Sequence, residues 1–299
     1  MDVPKEFYEK VTGAFGNAGE KWLERLEYVI TEYERKWRLT ISGPVENLSY
    51  NYVVKAIDQN GTPVILKLGV PNFDFSNEVQ TVRLYKGDGF ARLLAEDSEN
   101  GAMLLERLIP GTNLAELKDE ELVTKTFIHV WNKIRRPLSK DVSTPSIMDW
   151  ANGFTRYRDM FPDGGEPIPI EAIDRANLYL NEINSIHENE LLHGDLHHEN
   201  ILLAERGWLA IDPKGVAGSR YFDVVSFLTN YLHEKENPRQ LLKQRIDWIC
   251  EGLCMDKVHL LKASYALGTL YACWSIEDGG DWKETYRCVE WFAEFLSEE

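Results

Sequence analysis

His193-Gly194-Asp195-Leu196-His197-His198-Glu199-Asn200 is followed by the apolar Ile201-Leu202-Leu203, a turn at Arg206-Gly207, and Trp208-Leu209-Ala210-Ile211-Asp212. Two short strands around a tight turn would hold Asp195, Asn200 and Asp212 on rigid supports at one end of a hairpin. Such a trio suits transfer of a phosphoryl group from a nucleotide. One carboxylate takes the proton of an acceptor hydroxyl, and two oxygen ligands hold a divalent ion against the phosphates. As a mere histidine-rich turn, the stretch would use Asp and Asn only as turn formers; the joint spacing of the three residues argues against that. A metallohydrolase built from His193, His197 and His198 is the sharper rival, but no further histidine or carboxylate set stands at hydrolase spacing.

On the amino-terminal side the pattern begins as helix. Trp22, Leu26, Val29, Tyr33 and Trp37 recur at three- and four-residue spacing, which predicts a helix from about Phe7 to Trp37. Strand signals follow at Leu39-Thr40-Ile41 and at Tyr50 to Ile57, where Asn60-Gly61 turns the chain into Pro63 to Leu68. Phe75 to Tyr85 reads as a helix closed by Gly87-Asp88-Gly89. Two more strands, Phe90 to Ala95 and Ala102 to Arg107, end at Pro110-Gly111. Beyond them the chain reads as helical except around residues 191–212. The expected architecture is an α+β fold of two lobes with a cleft between them, a small sheet lobe over residues 1–108 and a larger helical lobe over 109–299.

Composition narrows the function. The 299 residues are 43% hydrophobic, enough for one large core or two modest ones. Forty-nine acids against 33 bases leave a net charge of −16, which argues against nucleic-acid and anionic-membrane partners and suits a cationic ligand or plain solubility. No apolar run is long enough to span a bilayer, and Met1-Asp2-Val3-Pro4-Lys5-Glu6 lacks the features of a secretory signal. With four scattered cysteines, a reducing cytoplasm is the expected compartment. Cys250 and Cys254 share a helical face without a second ligand pair, so ordinary thiols are expected there.

Asp195, five residues before Asn200, reproduces the Asp-to-Asn spacing of the kinase catalytic loop. His193-Gly194-Asp195-x-His197-x-x-Asn200 resembles the catalytic-loop signature of the aminoglycoside phosphotransferase family within the protein-kinase-like superfamily. Trp208 to Val216, Gly61 to Lys67 and Leu104 to Gly111 resemble its streptomycin 6-kinase and hydroxyurea-resistance kinase branch. Glu199 is a departure, because relatives of this branch often carry Gly there.

The resemblance implies ATP and Mg²⁺ as cofactors, Asp195 as the catalytic carboxylate, and Asn200 and Asp212 as metal ligands. It also implies that Lys67 pairs with the α- and β-phosphates and that Glu78 orients it. Local physics agrees in part. Val64, Leu66 and Leu68 share one strand face and leave Lys67 on the other, while Phe75, Glu78, Val82 and Tyr85 form one helical stripe. Glu106 to Leu108 resembles the hinge whose backbone meets the adenine edge. No G-x-G-x-x-G precedes Lys67; Glu46 to Asn51 stands in its place, with Ser49 as a candidate phosphate contact. His193, His197 and Asp223 are expected to support the loop.

An acceptor site is expected near the end of the apolar stripe Leu260, Ala263, Leu267, Leu270, Tyr271 and Trp274. The stripe continues into Glu277, Asp278 and then Asp281 and Trp282. Carboxylates at a helix C-terminus call for a nearby cation, either a Lys or Arg of the chain or a guanidinium or ammonium of the acceptor stacked on tryptophan. The expected function is ATP-dependent phosphorylation of a hydroxyl on a streptomycin-like aminoglycoside. The alternatives are hydroxyurea or a metabolite alcohol as acceptor, or a catalytically silent nucleotide-binding module. A protein kinase is disfavoured by the short run from Asp212 to Tyr221, which leaves little room for an activation loop.

Overall fold

In the computed structural model, which describes residues 3–139, 142–164 and 167–299, the chain forms two units. The first comprises Met1–Gly111 with Leu203–Leu209, the second Thr112–Leu202 with Ala210–Glu299. The first unit thus runs on from Leu108 to Gly111 and takes in a short stretch from far downstream.

The first unit opens with α1 (Lys5–Lys36), kinked at Gly16, whose φ of 53° and ψ of −135° interrupt the helix. Then come β1 (Thr40–Pro44), β2 (Tyr52–Ile57), β3 (Pro63–Leu68), α2 (Phe73–Tyr85), β4 (Leu93–Asp97) and β5 (Ala102–Glu106). The strands form one antiparallel sheet in the order β1-β2-β3-β5-β4. The turn between β2 and β3 follows from its residues: Asp58 Oδ1 accepts the N–H groups of Asn60 and Thr62, both at 2.8 Å, and Gly61 supplies a φ of +82°.

One face of this sheet is the core. Val64, Leu66 and Leu68 are buried with Tyr52 and Val54 and with Phe7, Val11, Trp22, Leu26 and Tyr33 of α1. Burying each of the three β3 side chains is worth about 2 kcal/mol relative to exposure. Alternation therefore turns Lys67 to the opposite face. Helix α2 begins two residues before the predicted Phe75, because Asn72 caps it by accepting the Phe75 N–H at 2.8 Å. The predicted strand at Phe90 begins only at Leu93, since Phe90 is held in a stack on Tyr85 with ring centroids 4.4 Å apart.

Strand β6 (Pro110–Asn113) leads to the second unit: α3 (Glu120–Ile134), β7 (Arg136–Pro137), α4 (Ile147–Trp150), α5 (Asn152–Met160), α6 (Ile170–Ile186) and β8 (Asn189–Leu192). After these come β9 (Ile201–Ala204), β10 (Gly207–Ala210), β11 (Val216–Ser219), α7 (Val225–Thr229), α8 (Pro238–Leu253), α9 (Lys257–Glu277) and α10 (Lys283–Glu298). β8 is the centre of a small antiparallel sheet, β11-β8-β7. Helix α9 is not the one-sided stripe its spacing predicts. From Leu260 to Leu270 every residue except Lys262 is buried, because α5, α6, α7, α8 and α10 all pack on it. Among the described residues no helix is long and apolar enough to cross a membrane.

Candidate active site

β8 ends in the buried Leu191 and Leu192, and the chain leaves the sheet at His193, itself buried. His193 Nε2 donates to the Ile211 carbonyl at 2.8 Å, and Nδ1 accepts the Asp195 N–H at 3.2 Å. These partners assign the ring hydrogen to Nε2 and leave the imidazole neutral. Burial drives its pKa down to about 3, so it stays uncharged at neutral pH. The His193 carbonyl accepts the N–H groups of Lys214 at 2.8 Å and Gly215 at 3.1 Å. One residue thus ties the loop after β8 to the segment on both sides of Asp212.

Gly194 has a φ of +81°, and a Cβ there would come within 2.9 Å of Val216 Cγ1 and 3.2 Å of Trp150. Its N–H donates to Asp223 Oδ1 at 2.8 Å, while Asp223 Oδ2 accepts from Trp131 Nε1 at 3.0 Å. Asp223 is 6% exposed, and burial raises its pKa to about 6 against the pull of these donors. Asp223 thus contacts the loop backbone directly. It stands between a 3₁₀ turn and α7 and holds the backbone beside Asp195.

The Asp195 side chain keeps 36% of its surface open, with the loop enclosing the rest. Burial pushes its carboxyl upward, and the nearby His197 and Lys214 pull it back. The Ser226 hydroxyl also helps to lower it, and lies 3.0 Å from the hydroxyl of Tyr271. His197 Nδ1 accepts the Glu199 N–H at 3.3 Å, and its Nε2 lies 3.3 Å from Asn200 Nδ2 and 3.9 Å from Asp195 Oδ1.

Asn200 is oriented by its own loop. Its Nδ2 donates to the Asp195 carbonyl at 2.8 Å, so the amide cannot flip, and Oδ1 is presented as an acceptor on the other side. Asn200 N–H reaches the His197 carbonyl and its carbonyl accepts from Ile211, both at 3.0 Å, which sets the start of β9 beside the end of β10. Asp212 follows with a left-handed φ of +55°, uncommon for a residue other than glycine, and this bends its side chain out of the strand direction. The predicted hairpin is therefore present and carries Asn200 and Asp212 at its two ends.

In the first unit, Lys67 and Glu78 form an ion pair, Nζ to Oε1 2.6 Å, at 3% and 8% exposure. Two charges so deeply buried need partners, and here each neutralises the other. Leu108 is buried, Ser49 lies exposed in the bend between β1 and β2, and the Glu106 carboxylate has a partner the sequence did not suggest. Arg206, at the β9–β10 turn, holds it through Nη2 at 2.6 Å and Nε at 3.2 Å, and also donates to the carbonyls of Gly87 and Phe90, both at 2.7 Å.

At the end of α9, Arg156 grips Glu277 with Nε and Nη2 at 2.8 and 3.0 Å; this is the cation of the chain that the helix end called for. Asp278 is exposed, Asp281 accepts the Lys283 N–H at 3.0 Å, and Trp274 is partly buried edge-on to Trp150, centroids 5.5 Å apart. Ser226 and Tyr271 were not foreseen as part of the site. The only signal for Tyr271 was its place on the α9 stripe.

The second unit thus holds a tethered loop with an accessible carboxylate and a hairpin with Asn200 and Asp212 at its ends, the first unit holds a buried lysine–glutamate pair, and the kinases that the chain resembles make it an ATP-dependent phosphotransferase acting on a hydroxyl. The family model for aminoglycoside/hydroxyurea antibiotic resistance kinases matches residues 36–279, and the chain belongs to that family. It is 28% identical to the streptomycin 6-kinase of Streptomyces glaucescens, over 93% of this chain and 92% of that one. It is also 28% identical to the hydroxyurea phosphotransferase of Kitasatospora aureofaciens, over 93% and 82%. The fold is shared with choline kinase LicA from Streptococcus pneumoniae, at a TM-score of 0.61 and 15% identity over 90% of this chain and 99% of that chain. It is likewise shared with aminoglycoside phosphotransferase APH(4)-Ia in a ternary complex with ADP and hygromycin B, at a TM-score of 0.60 and 12% identity over 89% and 97%.

Proposed function

We propose that this enzyme phosphorylates a hydroxyl of a streptomycin-like aminoglycoside, with Asp195 as the residue that receives the hydroxyl proton. The acceptor oxygen attacks the γ-phosphorus of ATP, the bond from that phosphorus to the bridging oxygen breaks, and ADP leaves with the electron pair. The proton lost by the hydroxyl passes to the Asp195 carboxylate. Lys67, kept in place by Glu78, holds the α- and β-phosphates, the backbone of Glu106 to Leu108 meets the adenine edge, and Ser49 contacts phosphate.

Asn200 and Asp212 are suited to hold Mg²⁺. Both offer hard oxygen donors, and the locked amide of Asn200 keeps Oδ1 available because Nδ2 is engaged by the Asp195 carbonyl. An ion bound there supplies neutralisation of phosphate charge. His193 and Asp223 act behind the loop. By anchoring its backbone they keep Asp195 from turning away from the acceptor.

The observation that carries the reading is this anchoring. Asp223 on Gly194, and His193 on both sides of Asp212, fix the backbone that carries one accessible carboxylate. A cationic acceptor suits the net charge of −16 and the partly exposed Trp274, whose face can take a guanidinium. Because Glu277 is engaged by Arg156, the exposed Asp278 is the acid at the end of α9 better placed to meet an acceptor cation, with Asp281 beyond it. Hydroxyurea phosphotransferase is matched at the same identity as streptomycin 6-kinase, so hydroxyurea belongs in the same assay.

The test is ATP consumption with streptomycin, other aminoglycosides, hydroxyurea and simple metabolite alcohols, repeated with Asp195→Asn. The variant should bind nucleotide normally and turn over roughly 10²-fold more slowly or worse. Near-full turnover in Asp195→Asn would remove Asp195 from its role, and a neutral compound as best acceptor would remove the cationic reading.

A further inference from the structure

His198 lies inside the loop, between Asp195 and Asn200, but its ring turns inward. It is buried and stacks on Phe227 of α7, with centroids 4.6 Å apart and planes at 16°; Phe227 stacks in turn on Phe127 of α3 at 4.0 Å. Packing alone would be served by an apolar ring. His198 Nε2, however, lies 3.4 Å from Nη2 of Arg245 on α8. A guanidinium only donates, so Nε2 is the acceptor and the imidazole is neutral.

Arg245 has no exposed surface, and a guanidinium so placed persists only if its donors are satisfied. Nη1 donates to the carbonyls of Phe227 and Leu228, both at 3.3 Å, and of Asn230 at 2.8 Å, closing the C-terminal end of α7. Nη2 and Nε reach Glu120 Oε2 at 2.8 and 3.3 Å, and Glu120 is paired on its outer side with Lys235 at 2.8 Å. A polar chain thus runs from Lys235 through Glu120 and Arg245 to His198, which with the apolar Leu196 faces inward between the proposed base and the proposed metal ligand.

We propose that Arg245 is a positioning residue for phosphoryl transfer, acting through His198 to hold the span from Asp195 to Asn200 in its working shape. Neither side chain touches substrate. The bonds to Glu120 and the α7 carbonyls serve stability, and the bond to His198 serves rate.

The test is a double-mutant cycle on the full chain, read as turnover with streptomycin or the best acceptor in the screen, and as hydrogen exchange of the 194–200 amides, which needs no acceptor. His198→Phe keeps the stack and removes the acceptor nitrogen; Arg245→Lys keeps the charge beside Glu120 and removes the fork. Each should lower kcat roughly tenfold with both KM values within about twofold, and raise exchange at residues 194–200 while leaving residues 52–68 unchanged. The double variant should lose no more kcat than the worse single variant, even where its stability losses add. His198→Gln, which restores an oxygen acceptor, should recover most of the lost rate and protection. Losses in kcat that multiply, unchanged exchange at residues 194–200, or a Gln variant no better than Phe would overturn the proposal. If Arg245→Lys does not fold, the comparison of Gln with Phe at position 198 decides it alone.

Discussion

Replacing Asp223 by Asn removes the charge from the brace behind Gly194 while keeping its shape. The carboxyl titrates at about 6 in the folded chain against an ordinary 3.8, chiefly because it is buried. A difference of about two pH units at 1.36 kcal/mol each means that folding disfavours the ionised form by roughly 3 kcal/mol. The folded pKa lies above the unfolded one, so this group's contribution to stability is fully present below about pH 4 and is lost as pH rises through about 6. Asn cannot ionise and escapes that loss. Against this, the amide presents N–H₂ to either the Gly194 N–H or the Trp131 Nε1–H, and the hydrogen bond left unmade costs roughly 1–3 kcal/mol at every pH. At pH 7 the two effects nearly cancel, and the variant should be about as stable as the parent. The loop, however, has lost its charge-assisted anchor, and kcat should fall roughly tenfold or more. Denaturant unfolding of both proteins from about pH 4 to pH 7 isolates the effect. The stability difference should move toward the variant by as much as ~3 kcal/mol across that range. Parallel stability curves, or an Asn variant with undiminished kcat, would refute the reasoning.

Asp212→Ala should abolish Mg²⁺-dependent ATP binding, measured by calorimetry, while the thermal midpoint of the ligand-free protein stays within a few degrees; unchanged affinity would dismiss Asp212 as a ligand. Lys67→Met removes the ammonium that neutralises the buried Glu78 and should cost roughly 3 kcal/mol of stability together with most activity. Adding Glu78→Leu should restore the stability but not the turnover. A double variant that regains activity would show that the pair serves folding only.

The legible parts of the protein are those set by short periods along the chain. Alternation in β3 sets Lys67 apart from Val64, Leu66 and Leu68, the helical stripe of α2 carries Glu78 inward, and the spacing from Asp195 to Asp212 defines a hairpin. What stayed hidden depends on partners with no fixed separation. Asp223 meets Trp131 across 92 positions, Arg206 meets Glu106 across 100, and Arg156 meets Glu277 across 121. No local pattern encodes such pairs. The carboxylates at the end of α9 show the consequence, since spacing called for a cation and could not say that Arg156 supplies it. The early start of α2 was readable in principle from Asn72 as a cap.

Downstream of Asp212 the chain is tied down at several points. Lys214 and Gly215 are bonded to the His193 carbonyl, the Gly215 carbonyl accepts from Thr144 at 2.7 Å, and all four residues of Val216–Ser219 are buried along β8. A conformational switch needs a segment with a second arrangement of similar free energy, which a ligand or a covalent mark can then favour. Here the stretch that could have served is a structural strand, and pulling it free would dismantle the sheet that supports the loop. Freeing this strand would therefore unmake the support of the Asp195 loop together with the segment that follows Asp212.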